Sequence, residues 1–294
     1  MCIRARIKAP NPALNVSRRN EPVATDTVYG KAPAVDNGST AAQYFHGRTS
    51  HFRSVRPCGN SDKQFTQTLM DEIRKYGAMD ILISDNAKAQ LSQKVKDILR
   101  TFAIKDWQSE AFNKNQNFAE RGWQDAKRHA NHMMHAADAP DDVWLLALQY
   151  VCFVMNHTAL ESLGWRTPIE WLLGFTPDIS VLLQFIFWQP VYYLKIDGAD
   201  DQKGTECLGR FVGIAEHVGH AMTFKILTED RKVLRRSVVR SAIKEGTFVN
   251  KKVNRLAPKM APEVNENELT PVTVDEGSED GENDETPHGT DFIR

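Results

Sequence analysis

Paired cysteines are missing from this sequence. Its four cysteines, Cys2, Cys58, Cys152 and Cys207, are far apart and form no CxxC pair, so neither a zinc ribbon nor a disulfide framework is indicated. Thiols of this kind suit a reducing compartment. Long hydrophobic runs are also missing. The longest, Val143 to Met155, is interrupted by Gln149 and is too short to span a bilayer; it reads as a core helix, and no membrane partner is expected. The basic opening MCIRARIKAPNPALN has no apolar segment behind it, so it does not read as a secretory signal. No internal repeat is visible.

What is present is a chain of 294 residues with 41% hydrophobic content, enough for one good-sized domain and a second small one. The net charge of −1 hides a division. From Glu263 onward there are eleven acidic residues against one basic, Arg294, so the tail carries −10 and the rest carries +9, since −1 minus −10 is +9. A basic body suits a polyanionic partner, although a solvated mixed-charge surface also gives such a value.

Three stretches read as an antiparallel meander: Pro22 to Tyr29, Ala41 to Thr49 and Phe52 to Pro57, with a turn at Asp36-Asn37-Gly38. Ser61 or Asp62 caps a helix in which Phe65, Leu69, Ile73 and Tyr76 recur on one face, and Gly77 closes it. Met79 to Asn86 follows as a buried strand with Asp85 at its carboxyl end. A second amphipathic helix uses Leu91, Val95, Ile98, Leu99 and Phe102, and an extended piece covers Ile104 to Ser109. A long helix runs from Phe118 to about Ala137 and is ended by Pro140. Next come an apolar helix from Val143 to Asn156, capped by Asp141 or Asp142, and a short one from Thr167 to Gly174. From Gln189 the pattern turns to short β segments, Pro190 to Ile196, Gly209 to Ala215, Ala221 to Leu227 and Val233 to Ser241, read as a partial barrel.

This element order brings three acids together: Asp26 inside the first strand, Asp85 at the end of the fourth and Glu120 near the start of the long helix. Asp26 and Asp85 lie in strands too apolar to favour an unpaired carboxylate, and a buried charge needs a partner or a metal. Three close carboxylates repel one another unless divalent cations hold them, and hard oxygen ligands select Mg²⁺ or Mn²⁺. Two such ions can activate the attacking oxygen and stabilise the leaving oxygen of a phosphoryl displacement. The plainer alternative is that Asp26 and Asp85 are strand-end turn residues and that Glu120 is a helix-start charge favoured by the dipole. Around Glu120, the residues Gln116, Gln124, Lys127 and Asn131 recur at helical spacing with it, so one face joins an acid to amide and basic groups that suit DNA phosphates and bases, or simply a solvated face.

The segments ATDT at Asp26, LISDNAKAQ at Asp85 and NQNFAERGWQDAKR at Glu120 resemble the catalytic blocks of integrases from copia-type LTR retrotransposon polyproteins. Downstream, NHTALESLGWRTPIEWLLGFTPDIS and GRFVGIAEHVGHAMTFKILTEDRKVLRRSVVRSA resemble the segments that follow in that family, so the likeness covers roughly residues 21 to 242. The resemblance implies an α/β, RNase H-like mixed sheet flanked by helices, with Asp26, Asp85 and Glu120 as catalytic residues and ligands of two Mg²⁺ or Mn²⁺ ions. It implies 3′-end processing and strand transfer of element DNA into target DNA. Expected partners are double-stranded DNA and further copies of the chain, and nuclear location is inferred from that substrate. The resemblance also suggests that Gln116, Lys127, Asn86 and Lys88 approach DNA. The sequence departs from the pattern in three places: Ala87 stands where Gly commonly follows SDN, Phe112-Asn113-Lys114-Asn115 replaces a Pro-rich loop, and one cysteine and no histidine precede Asp26 where an HHCC zinc module is usual. Hence no zinc is expected, and the chain reads as a polyprotein fragment or a decayed copy.

The expected domains are a flexible lead-in over 1–20, the catalytic core over 21–180, a small β module of DNA-binding type over 189–245 and a disordered acidic tail over 257–294. In the β module Arg231, Lys232, Arg235, Arg236 and Arg240 at alternating strand positions would make one charged face for phosphate contact. His129, His132 and His135 advance by three along the long helix and drift around it, which suits an exposed face better than a metal site. The aromatic set around Trp144, Trp165, Trp171 and Trp188 reads as packing rather than a base-stacking platform. The rival reading is a catalytically inactive or co-opted remnant that binds nucleic acid; a third is a nuclease or transposase of the same fold.

Overall fold

A computed structural model describes residues 16–59, 61–84, 92–108, 118–195, 205–216, 218–219 and 221–243. The acidic tail over 257–294 and most of the lead-in lie outside them. Strands β1 (Pro22–Tyr29), β2 (Ala41–Gly47) and β3 (Arg53–Cys58) form the expected meander, with Asp26 opposite Tyr44 and Gln43 opposite Arg56. Helix α1 (Asp62–Tyr76) crosses the sheet and delivers β4 (Ile81–Ser84) parallel to β1; α2 (Gln93–Thr101) then delivers β5 (Lys105–Gln108) parallel to β4. The order β3-β2-β1-β4-β5, antiparallel on one side of β1 and parallel on the other, is that of an RNase H-like mixed sheet.

Local chemistry explains these elements. Ser61 caps α1 by accepting the Gln64 N–H at 3.3 Å, a contact worth about 1 kcal/mol. Gly77, at φ 96°, ends the helix and returns its N–H to the Ile73 carbonyl. Phe65, Leu69 and Ile73 on one face of α1 pack with Val23, Phe45, Val95 and Leu99 to fill one side of the sheet.

On the other side lie α3 (Phe118–Ala137) and α4 (Trp144–Asn156). Ala119, Trp123, Ala126 and Ala130 of α3 share a cluster with Ala24, Val28 and Tyr44, so small side chains let the helix lie close on the strands. Helix α3 ends before Pro140: Asp138 takes φ 55° and the Ala139 N–H reaches back to the Met134 carbonyl. A 3-10 turn over Asp141–Val143 leads into α4, which is apolar around most of its circumference and therefore needs burial on more than one side. Helix α5 (Pro168–Leu173) is capped by Thr167, whose hydroxyl accepts the Glu170 N–H.

The second side of α4 is covered by a separate antiparallel sheet. Strands β6 (Pro190–Lys195), β7 (Thr205–Ile214), β8 (Phe224–Thr228), β9 (Val233–Arg236) and β10 (Val239–Ser241) are ordered β10-β6-β7-β8-β9. Val233 to Ser241, read from sequence as one strand, is thus two strands on opposite edges, with only residues 237 and 238 between them. Spanning the edges in so few residues requires a sheet curled toward closure, and the Arg236 Nε hydrogen bond to the Leu194 carbonyl ties β9 to β6. Tyr150 of α4 meets Phe187 and Phe211 at ring-centroid distances of 5.7 and 5.6 Å.

Residues 16–20 correct the sequence reading of a lead-in. Arg18 bridges to Ala78, and Arg19 is only 4% exposed. The Arg19 guanidinium donates to Glu21 at 3.0 Å and to Glu72 at 3.3 Å; Glu72 also accepts from Ser54 at 2.8 Å and Arg56 at 2.7 Å. Glu21 further accepts the backbone N–H groups of Thr49 and Ser50 and the Ser50 hydroxyl. Two acids and two bases close on each other inside the protein, which is the condition under which burying them is tolerable.

Candidate active site

The side chains of β1 alternate between the two faces of the sheet. Val23 points to α1, whereas Ala24 and Val28 join the cluster that includes Ala119 and Trp123 of α3. Asp26 lies between Ala24 and Val28 and opposite Tyr44, so its carboxylate is on the α3 side. It is half-buried, and Oδ1 accepts the Thr27 N–H at 2.7 Å. Strand β4 runs beside β1 in parallel, with Ala24 opposite Ile83, and its last described residue, Ser84, is buried. Asp85, Asn86, Lys88 and Gln116 lie outside the described residues, as do Ala87 and the 112–115 loop.

Glu120 is the third residue of α3, half-buried, in the turn where the helix dipole favours a carboxylate. It lines a groove of about 740 Å³ together with His46, Arg48, His51, Arg53, Arg121 and Gln124. Gln124 is exposed one turn further along α3, and Lys127 is half-buried beyond it. The structure therefore puts Asp26 and the first turn of α3 on one side of one sheet. Carboxylate oxygens are hard donors that fit Mg²⁺ or Mn²⁺. Among the described residues no group of three His, Cys, Asp or Glu side chains could hold a metal ion; Asp85 is not among them. His129, His132 and His135 are each exposed on α3.

Two residues that sequence reasoning passed over shape this site. His46, opposite Ala24 on β2, is 6% exposed, with its ring closed off beneath the start of α3. Burial, and then the Arg53 and His51 charges, lower its pKa from 6.5 to about 3, so the ring is neutral. Phe118 meets it edge-on at 5.6 Å. Gly122 is the reason α3 can lie here: a Cβ at that position would sit 2.3 Å from His46 Nδ1 and 3.1 Å from the Tyr44 hydroxyl. A glycine within a helical pattern is the sequence signal that could have marked the contact.

The arginines of the β module do not make the expected single face. Arg231 stands in the β8–β9 turn at φ 62° and pairs with Asp142, next to α4. Arg235 is opposite Lys225 and Arg236 is opposite the buried Phe224, so the two neighbours point to opposite sides of the sheet. Arg240 pairs with Glu206. Adjacent positions on a strand cannot share a face, and the cluster Arg235-Arg236 is such a pair.

In comparisons with known proteins, no protein-family model and no curated protein sequence matches the chain. Solved structures do resemble it. The catalytic core domain of BIV integrase is 16% identical, covering 53% of this chain and 95% of that one at a TM-score of 0.42. The HTLV-2 integrase catalytic core in complex with magnesium is 15% identical, covering 52% and 96% at 0.41. A chain of the simian T-cell lymphotropic virus intasome in complex with PP2A regulatory subunit B56 gamma is 14% identical, covering 78% and 81% at 0.42.

Proposed function

We propose that this chain is the catalytic core and adjoining β module of a copia-type retrotransposon integrase, with the division near residues 21–180 and 189–245 read from its sequence. Its reactions are 3′-end processing and strand transfer of element DNA into target DNA. The observation that carries this reading is the parallel pairing of β1 with β4 beneath α3. Asp26 is two residues past Ala24 and Asp85 is two residues past its partner Ile83, and the helix that bears Glu120 lies on the Asp26 side. The sequence blocks around the three acids support the same assignment.

In this reading Asp26, Asp85 and Glu120 hold two Mg²⁺ or Mn²⁺ ions, which supply activation of the attacking oxygen and stabilisation of the leaving one. The protein's own residues position DNA: Gln124 and Lys127 on α3, with Asn86, Lys88 and Gln116, face the element end, and Arg231, Arg235 and Arg236 give phosphate contacts from separate sides of the β module. The chain acts as a homo-oligomer on double-stranded DNA in the nucleus.

The test is a joining assay with purified protein, Mg²⁺ or Mn²⁺ and a 3′-recessed duplex. Joined product that disappears in Asp85→Asn supports the integrase. Salt-sensitive DNA binding without joining identifies a non-catalytic remnant, and cutting without transfer of 3′ ends identifies a nuclease of the same fold.

A further inference from the structure

One wall of the groove beside Glu120 is the turn between β2 and β3, and its backbone is pinned at successive positions. The Arg48 N–H donates to the Pro22 carbonyl at 3.0 Å, and the Thr49 and Ser50 N–H groups donate to the buried Glu21 carboxylate at 3.1 and 2.8 Å. The Gly47 N–H closes the turn on the Phe52 carbonyl at 2.9 Å, and His51 takes φ 54°, which His tolerates better than most residues. The Arg48 side chain, by contrast, is exposed and makes no hydrogen bond or ion pair with a described residue. A fixed backbone thus presents a guanidinium that the fold itself does not use.

The facing wall is the start of α3, where Arg121 is likewise exposed and without a described partner. Arg53 also lines the groove. It lies opposite His46, whose ring meets Phe118 of α3, so its side chain is on the α3 side of the sheet, whereas Ser54 and Arg56 bond Glu72, and Arg56 alternates to the other side. Two carboxylates, Glu120 and Asp125, line the groove as well, and Asp125 is engaged by Arg128 at 2.9 Å. Burial, and then the Arg53 charge, lowers the pKa of both His46 and His51, so the positive charge of the groove rests on its arginines.

Guanidinium forks suit the oxygens of a phosphodiester. The groove, at about 740 Å³, is larger than a single small anion needs, and its two unpartnered arginines come from different elements. A ligand that carries phosphates at regular intervals can engage both, and each contact releases a counterion.

We propose that Arg48, Arg53 and Arg121 hold the phosphodiester backbone of a DNA strand in this groove, so that the strand runs past Glu120; that the strand is DNA rests on the integrase reading above.

The experiment is fluorescence anisotropy of the full chain with a labelled DNA duplex in the presence of a chelator, repeated over a range of salt, which reads phosphate contacts without chemistry. Arg48→Gln and Arg121→Gln should each weaken binding roughly five- to tenfold at about 0.1 M salt, and each should reduce the slope of log K against log salt by about 1. Because both positions are exposed, Tm should stay within about 2 °C of the parent. Arg48→Lys should keep the parent slope, since counterion release follows charge. Arg166→Gln, at an exposed arginine outside the groove, should change neither affinity nor slope. Equal weakening in Arg166→Gln would reduce the effect to net charge and overturn the proposal, as would parent slopes in both groove variants. The joining assay keeps the two readings apart. An arginine-dependent slope with no joining by the parent rejects the enzyme and retains the groove; joining by the parent that both groove variants match, with the same KM for DNA, rejects the groove and retains the enzyme.

Discussion

Glu21, just before β1, and Asp26, in the middle of it, are five positions apart, and the protein treats them oppositely. Glu21 is fully buried and is met by the Arg19 guanidinium, two backbone N–H groups and a hydroxyl. Asp26 is half-buried on the opposite side of the sheet, beneath the helix that carries Glu120. The first carboxylate belongs to a closed set of charges that includes Glu72 and Arg56 and holds α1, β1 and β3 together. The second lies in mid-strand on the face of the sheet that α3 covers. Two acids so close in sequence thus meet opposite surroundings, one fully enclosed by its partners and the other half-buried.

Substitutions can probe these two settings. Glu72→Gln removes the charge that faces both Arg19 and Arg56 and leaves the buried Arg19 and the half-buried Arg56 under-compensated, so it should destabilise folding by about 3–5 kcal/mol in urea unfolding. A loss under about 1 kcal/mol would show that the buried charges do not hold the elements together. Glu120→Gln should do the reverse: stability within about 0.5 kcal/mol of the parent, because the side chain is only half-buried, but joining activity reduced about 100-fold or more. Retained activity in that variant would remove Glu120 from the site.

The third effect is spread over a wide range of pH. His46 is held at a pKa of about 3 in the folded protein against 6.5 ordinarily, so the unfolded chain takes up a proton below pH 6.5 that the folded protein refuses. Its contribution is complete above pH 6.5 and is lost as pH falls toward 3, at up to about 1.4 kcal/mol per pH unit. The difference in stability between the parent and His46→Phe, followed across that range, should change with this slope; a flat difference would show that the ring is protonated without cost.

Much of the architecture was legible because it is written in local periodicity. The apolar spacing of Phe65, Leu69 and Ile73, the Ser61 cap and the alternating strands all come from interactions between near neighbours in the chain. The ion network was not legible, since Arg19, Glu21, Ser54, Arg56 and Glu72 meet only through long-range folding and Arg18-Arg19 looks like a polar approach to a domain. A clue existed: Glu72 sits seven residues after Phe65, on the apolar face of α1, where a charge requires a partner. The break between β9 and β10 was equally hidden, because Ser237 and Val238 contain none of the Gly, Pro or Asn that mark a turn. At the candidate site the sequence singled out Asp26 and Glu120, which fall on one side of the sheet. It did not single out His46 and Gly122, whose importance lies in how closely a helix can approach a strand.

Helix α4 is shared property. Trp144, Leu145 and Leu148 belong to the same cluster as Val212 and Leu227 of the second sheet, and Tyr150 and Phe153 pack toward Phe211 and Phe224. A truncated polypeptide stopping near residue 180 would therefore leave a greasy strip of α4 bare to water. Such a fragment should self-associate or precipitate when purified, and an assay on it would report the behaviour of an exposed seam.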